Sequence, residues 1–286
     1  MHGQWATYPA TVAYIISELN GIPFSFTGHA HDIYTDTTML AYKIRKARFV
    51  TTCTANNKEH LLQILGKTYS MNGIPKKIIV NRHGIDLSRF KRPEEFSGSR
   101  KPFTILSVGS LLECKGFAFL IEACKILKER GISFRCVIAG GGKLEKNLKT
   151  QIQHLNLNDT VELTGYLTQD KLLPLYQQAD VFVLAMVPEI HWGIPNVLIE
   201  AIAAGIPVVC TMLPSIPELV EDGKTGFIIP PKNPTAIADT VSKLYSDEPL
   251  RKRVARDALK IVEEKFDTVK NAAQLRELLM NQSSNL

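Results

Sequence analysis

Between about residues 102 and 230 the apolar positions come in short, nearly unbroken runs: FTILSVG, FRCVIAG, TVELTG, DVFVLA, IPVVCT and GFIIP. Between them lie longer stretches in which apolar residues recur every three or four positions: KGFAFLIEACKILKER, LEKNLKTQIQHL, QDKLLPLYQQA and PNVLIEAIAA. Unbroken runs predict strands buried on both faces, and the three-to-four periodicity predicts amphipathic helices. SIPELVED reads as a further helix, and three helical segments follow from about Pro234 to Met280. Strand–helix alternation with short Gly/Pro/Asn/Asp connections predicts a doubly wound α/β domain around a parallel sheet.

The first ninety residues follow the same grammar less completely. VAYIISELNG reads as a helix with Gly21 near its C-cap, and IPFSFTG, ARFVTTCT and KKIIVN read as strands. Three strand–helix units make half a domain, so an open strand edge and exposed apolar faces are expected. KRPEEFSGSRK, Lys91 to Lys101, is polar and turn-rich, and reads as a linker.

Composition narrows the class. The chain has 286 residues, 45% hydrophobic and 22% charged, which is ordinary for a soluble globular protein. No run is long and apolar enough for a membrane helix, and MHGQWATYPA lacks the pattern of a signal peptide, so a cytoplasmic location is expected. Five scattered cysteines without a CxxC point to a reducing compartment, and no Cys/His pair has zinc-ligand spacing. The net charge of +6 is concentrated in residues 1–99, which hold 12 Lys and Arg against 7 Asp and Glu. The run KIRKAR, Lys43 to Arg48, reads as a solvated helix end, with peripheral contact to an anionic membrane face as the sharper alternative. No nucleic-acid motif accompanies the charge.

Candidate chemistry sits beyond strand carboxyl ends, where ligands bind in open α/β sheets. In VGSLLECKG a strand ends at Gly109, Ser110 follows, and Lys115-Gly116 opens a helix, a pattern suited to phosphate. IAGGGKLE places Gly140 and Gly141 at a second such turn. It is not GxGxxG and no ribose-binding acid follows at the expected spacing, so a nicotinamide enzyme is a poor reading. In EIHWGIPNVLIEAIAAG, Pro195 suits a first helical position, and Glu200 stands in an otherwise apolar helix. Such a carboxylate needs a partner: backbone, a lysine, or the hydroxyls of a sugar. His29 and His31, with Asp32, follow the strand IPFSFTG. The sequence places no third metal ligand beside them, and a hydrogen-bonding histidine is the better reading.

Taken together, VGSLLECKG, the AGGG turn, VELTGYL, QQADVFVLA, GIPNVLIEAIAAGIPVVCT, IPELVEDGKTGFIIPPKNP and IVNRHGIDLSRF resemble the retaining glycosyltransferases of family 4, which have the GT-B fold. The resemblance implies an α/β chain with a complete Rossmann-like domain over 102–265 and a linker over 93–101. It also implies a partial Rossmann-like, acceptor-side domain over 1–92 and a C-terminal helix over 266–286. The region that would precede HGQWATYPA, with that domain's glycine-rich loop, is not in this sequence.

The activity implied is enzymatic transfer of a sugar from a nucleotide-diphosphate donor to a polysaccharide or glycolipid acceptor, with retention of configuration. Neither a cofactor nor a metal is implied. The implied partners are the nucleotide-sugar donor and a saccharide or lipid-linked acceptor. Separately, the exposed edge and faces of the half-domain predict that it is mobile, pairs with a second copy of the chain, or aggregates. Lys115 would contact the pyrophosphate, with Gly109 and Ser110 in the phosphate loop and Gly140 and Gly141 allowing close approach. Glu200 would hold the ribose, Tyr166 would lie near the base, and the backbone of Gly193, Ile194, Pro195 and Asn196 would face phosphates and sugar. His29 would touch the transferred sugar at the reacting centre. The chain departs from the family pattern where Ser110 replaces an arginine and Trp192 replaces the first of two acids, for which Glu189 is the candidate substitute. A non-catalytic nucleotide-sugar-binding remnant, or an epimerase or phosphorylase on the same fold, are the alternatives.

Overall fold

A computed structural model describes residues 1–67, 73–90, 102–188 and 193–280. The chain divides into two units: residues 1–84, 191–194 and 268–286, and residues 85–190 and 195–267.

In the first unit, strands β1 (His2–Gln4), β2 (Ser25–Gly28), β3 (Val50–Thr52) and β4 (Ile78–Val80) form a parallel sheet in sequential order. β2 to β4 were expected from their apolar runs, but β1 was not. Three residues are too short to show a period, and β1 is held by tertiary pairing. Gly3 lies opposite Phe26, and the His2 ring bonds the hydroxyls of Ser25 and Thr27 at 2.8 and 2.9 Å. Among the described residues β1 has no second neighbour.

Helix α1 (Tyr8–Asn20) ends, as expected, at Gly21, whose φ of +68° lets its N–H close on the Ser17 carbonyl at 2.9 Å. It buries only Ala10 and Ala13. Its larger residues Tyr8, Val12, Ile15 and Leu19 stand exposed, Leu19 to 78%. That meets the expectation of a bare apolar face.

Helices α2 (Ala30–Thr35), α3 (Leu40–Lys46), α4 (Ala55–Gly66) and α5 (Ile74–Lys77) complete this half of the chain. Within KIRKAR, Lys43 is buried, its ammonium on the carbonyls of Ala6 and Thr7, and Lys46 pairs with Glu18 at 3.4 Å. The run is therefore partly structural rather than one solvated basic face.

In the second unit, β5 (Phe103–Val108), β6 (Phe134–Ala139), β7 (Val161–Leu163), β8 (Val181–Leu184), β9 (Val208–Thr211) and β10 (Phe227–Ile229) form a parallel sheet ordered β7-β6-β5-β8-β9-β10. These are the six runs read as strands. The order reverses between β5 and β8, which makes that gap the topological switch point.

The helices are α6 (Leu87–Phe90), α7 (Phe117–Glu129), α8 (Glu145–His154), α9 (Gln169–Gln178), α10 (Asn196–Ala203), α11 (Pro234–Ser246) and α12 (Glu248–Lys265). α7 shows why the sheet is buried: Phe117, Leu120, Ile121, Cys124 and Leu127 fall on one face and enter the core with Ile105, Cys136 and Val183. Each such large side chain contributes roughly 1.5–3 kcal/mol when fully buried.

SIPELVED does not form the expected helix. Only Ile216–Glu218 make a single 3₁₀ turn, because Leu213, Ile216, Leu219 and Val220 are each drawn into the core by an irregular path. The last helix, α13 (Thr268–Met280), belongs to the first unit, where the Asn81 amide bonds the carbonyl of Asn271 and the side chain of Gln274, both at 2.9 Å. No described helix is long and apolar enough to cross a membrane.

Candidate functional site

The carboxyl ends of β5, β6 and β7 are joined by backbone bonds. Gly109 N–H donates to the Ala139 carbonyl (3.0 Å), Leu111 N–H to Gly141 (3.0 Å) and Gly140 N–H to Gly165 (3.0 Å). Gly140 has φ +154°, and a Cβ there would lie 1.8 Å from the Gly109 carbonyl oxygen, so only glycine fits. The predicted residues Gly109, Ser110, Gly140, Gly141 and Tyr166 thus share one loop cluster. Tyr166 lies against Gly141 and is 81% exposed, and Ser110 is exposed.

Lys115 closes a 3₁₀ turn, Glu113–Lys115, ahead of α7. Gly116, at φ +68°, makes the junction, and a Cβ on it would meet the Ala185 carbonyl oxygen at 1.8 Å. The Val187 N–H donates to the Cys114 carbonyl at 2.9 Å, so the loops after β5 and β8 meet at the switch point. The Lys115 stem rests on Gly109. Burial lowers its pKa, and no described carboxylate pairs with it. No N-cap side chain closes α7 or α10 among the described residues. The Phe119 and Leu198 N–H groups donate to the Gly116 and Pro195 carbonyls (3.1 and 3.0 Å), and the N–H groups ahead of them are the ones left for an anion. A cavity of about 410 Å³ borders this loop, lined by Gly116, Phe117, Leu144, Val187 and Lys232 among others.

α10 buries Leu198, Ile199, Ala201 and Ile202 and leaves Glu200 half-buried. Among the described residues the partner of this carboxylate is neither backbone nor lysine. The Tyr176 hydroxyl, on α9, donates to Glu200 Oε2 at 2.8 Å. Tyr176 is fully buried, its ring 6.0 Å from those of both Phe182 and Phe90. Burial raises the pKa of Glu200, and the Tyr176 bond opposes that rise. Sequence reasoning missed Tyr176, although a tyrosine among apolar helix residues signals a hydroxyl in need of a partner. Pro195 is the N-cap of α10 rather than its first helical residue, with Asn196 exposed behind it.

The remaining predicted residues belong to the first unit or fall outside the described residues. Glu189 and Trp192 fall outside the described residues. Gly193 and Ile194 fold with the first unit, where Gly193 faces Ala30. His29 is in that unit too. Its backbone N–H is fixed by Asp32 Oδ1 at 2.7 Å, the Trp5 ring lies 4.4 Å away, and burial, followed by the charge of His83, lowers its pKa to about 4. His31 is exposed and does not join it. The neighbours of His29 are Cys53 and His83.

Residues 89–261 match the family described as glycosyl transferases group 1. The chain belongs to that family. A group 1 chain of this length is a part-match to its relatives. It is 40% identical to the putative colanic acid biosynthesis glycosyltransferase WcaL of Escherichia coli over 64% of this chain and 46% of that protein. It is 36% identical to the amylovoran biosynthesis glycosyltransferase AmsK of Erwinia amylovora, over 74% and 53%. The chain therefore spans about half the length of these curated relatives. Among solved structures, Anabaena Alr3699/HepE in complex with UDP has a TM-score of 0.78 at 22% identity, covering 96% of this chain and 76% of that one. Sucrose-phosphate synthase from Thermosynechococcus elongatus has 0.79 at 18%, covering 100% and 74%. Both likenesses establish the α/β fold with Rossmann-like parallel sheets seen in GT-B glycosyltransferases.

Proposed function

We propose that this group 1 protein transfers a sugar from a nucleotide-diphosphate donor to a saccharide or lipid-linked acceptor in polysaccharide biosynthesis, with retention of configuration as in family 4. The observation that carries the reading is the edge of the second sheet. Lys115, partly desolvated and without a carboxylate partner among the described residues, and the starts of α7 and α10 stand beside the switch point, and Glu200, on α10 itself, is braced by Tyr176 of α9. Cation and helix amides suit the diphosphate, where negative charge grows as the sugar–phosphate bond breaks. A carboxylate with a second oxygen to offer suits ribose hydroxyls. The exposed Tyr166 ring offers a flat face for the base.

The names of the relatives support the biosynthetic setting, and the neighbour crystallised with UDP makes uracil the first base to test. In this reading His29 serves the transferred sugar, as the family resemblance implies. The test is calorimetry with UDP and GDP on the wild type and Glu200→Ala, followed by turnover of labelled nucleotide sugar with extracted lipid acceptors and NMR assignment of the product anomer. Binding lost in Glu200→Ala, with turnover to a retained anomer, is the expected outcome. Nucleotide binding indifferent to Glu200 would sink the proposal, and binding without turnover would leave a binding protein.

A further inference from the structure

The four strands of the first sheet run parallel, so their carboxyl ends lie on one side. Register places Gly28 opposite Thr52 and Thr52 opposite Val80. The residues that follow each strand therefore meet. Trp5 follows β1, His29 follows β2, Cys53 follows β3, and His83 comes three residues beyond β4. Three of these carry metal-ligating atoms, and they converge. His29 Nδ1 is 3.2 Å from His83 Nε2, Cys53 Sγ is 3.4 Å from His29 Nδ1, and Cys53 Sγ is 2.8 Å from His83 Nε2. Cys53 is a free thiol.

We propose that His29, Cys53 and His83 form a zinc site that ties three loops together at the carboxyl edge of the first sheet. Zinc bonds of about 2.0–2.1 Å to nitrogen and about 2.3 Å to sulfur, at tetrahedral angles, set ligand edges of about 3.3 Å between nitrogens and about 3.6 Å from nitrogen to sulfur. Two of the three observed edges already lie close to those lengths. The third opens by roughly 0.8 Å to reach the sulfur edge, a swing available to His83, the most exposed of the three. The Asp32 carboxylate fixes the His29 backbone N–H, and the Trp5 ring packs beside the imidazole, with centroids 4.4 Å apart and planes tilted by 45°. Asp32, itself buried and held by the backbone N–H of Ala6 as well, also sets a negative charge beside the cluster. Such supporting groups orient metal ligands.

Imidazole and thiolate together suit zinc rather than magnesium or calcium, which take oxygen ligands. On binding, the Cys53 thiol releases its proton to solvent as the zinc–sulfur bond forms. Three protein ligands leave the fourth position for water or a substrate oxygen. The inference rests on this cluster alone and not on the donor-binding reading above; zinc would take His29 Nδ1, leaving Nε2 for the sugar which that reading assigns to His29.

The experiment uses the full chain purified without a polyhistidine tag, stripped with chelator, and titrated with zinc and with cobalt(II). The expected result is one metal per chain, a rise in thermal midpoint with zinc, and a thiolate-to-cobalt charge-transfer band. Cys53→Ser should abolish the band. His83→Ala should weaken zinc binding by more than about 100-fold, beyond the loss typical of an outer-shell partner. Far-UV circular dichroism checks that both variants fold. A wild-type protein that binds cobalt(II) without the charge-transfer band, or binds no metal, overturns the proposal whatever the variants do. So does zinc affinity unchanged in folded His83→Ala.

Discussion

The Tyr176 hydroxyl donates a 2.8 Å hydrogen bond to Glu200 Oε2, joining a buried aromatic of α9 to the lone carboxylate of α10. A hydrogen bond to a charged group contributes about 1.5–3 kcal/mol. Tyr176→Phe keeps the ring packing and removes only this bond. It is expected to weaken nucleotide binding roughly 10-fold, by letting Glu200 leave its binding rotamer and by making its ionised form costlier. Calorimetry with UDP measures the effect, and unchanged affinity would show that Tyr176 serves packing alone.

The same pair predicts a pH dependence of known sign. Burial holds the Glu200 carboxyl above its ordinary value of 4.5. The folded protein thus keeps this proton to higher pH than the unfolded chain. The contribution to stability is fully present below pH 4.5 and is lost as pH rises through the folded value. Donor binding runs the other way, because the ionised carboxylate is the better acceptor for ribose hydroxyls. Nucleotide affinity should therefore fall with acidification at a pH above 4.5. In Tyr176→Phe that acid limb should move up further, since the lost bond was the one opposing the rise. Titration of affinity against pH for the two proteins is the check, and coincident limbs would separate Glu200 from donor binding.

Lys115 sets function against stability. An ammonium that is partly desolvated and has no carboxylate partner among the described residues costs the free protein energy. Lys115→Met should keep the stem packed on Gly109, leave thermal stability equal or higher, and lower UDP affinity by about 10- to 100-fold through loss of a charged hydrogen bond. A mutant that loses stability and keeps its affinity would make this lysine structural.

The parts of this site that could be read in the chain are those governed by one rule, that ligands gather beyond the carboxyl ends of parallel strands. Lys115, Gly140, Tyr166 and Glu200 all lie there, and each follows a run of apolar residues that marks its strand. The rule reached His29 as well. Applied to the next two strands it would also have reached Cys53 and His83, which lie 24 and 54 residues further along. Spacing motifs look for ligands close in sequence, and a parallel sheet brings together residues that are not. Tyr176 was missed for a different reason. Its helix position marks it as core, and nothing local says which carboxylate its hydroxyl will meet. β1 was missed because its evidence is wholly tertiary.

Two glycines separate conformational cost from close approach. Gly116 (φ +68°) and Gly131 (φ +72°) share a left-handed backbone, but a Cβ on Gly131 meets nothing within 4 Å, whereas one on Gly116 would meet the Ala185 carbonyl oxygen at 1.8 Å. Gly131→Ala should cost about 1 kcal/mol, the left-handed penalty alone. Gly116→Ala should cost several-fold more and also lower nucleotide affinity, since the loops after β5 and β8 must part. Urea unfolding of the two variants gives the comparison, and equal losses would mean that the β5 and β8 loops yield freely.

The exposed side of α1 carries a prediction about assembly. Tyr8, Val12, Ile15 and Leu19 recur at helical spacing and stand outside, while the face turned to the sheet offers Ala10, Ala13 and the half-buried Tyr14. Contiguous exposed apolar surface of this kind marks an interaction site. The helix carries one charged residue, Glu18, so a like face of a second copy can lie against it without bringing many charges together. Two copies are therefore expected to associate through α1 at micromolar concentration. Leu19→Glu, at a position 78% exposed, should leave the monomer fold intact and shift the sedimentation profile from dimer to monomer. A wild type that sediments as a monomer across the concentration range rules this association out. Aggregation of the wild type that Leu19→Glu suppresses would show the same face acting without a closed symmetry.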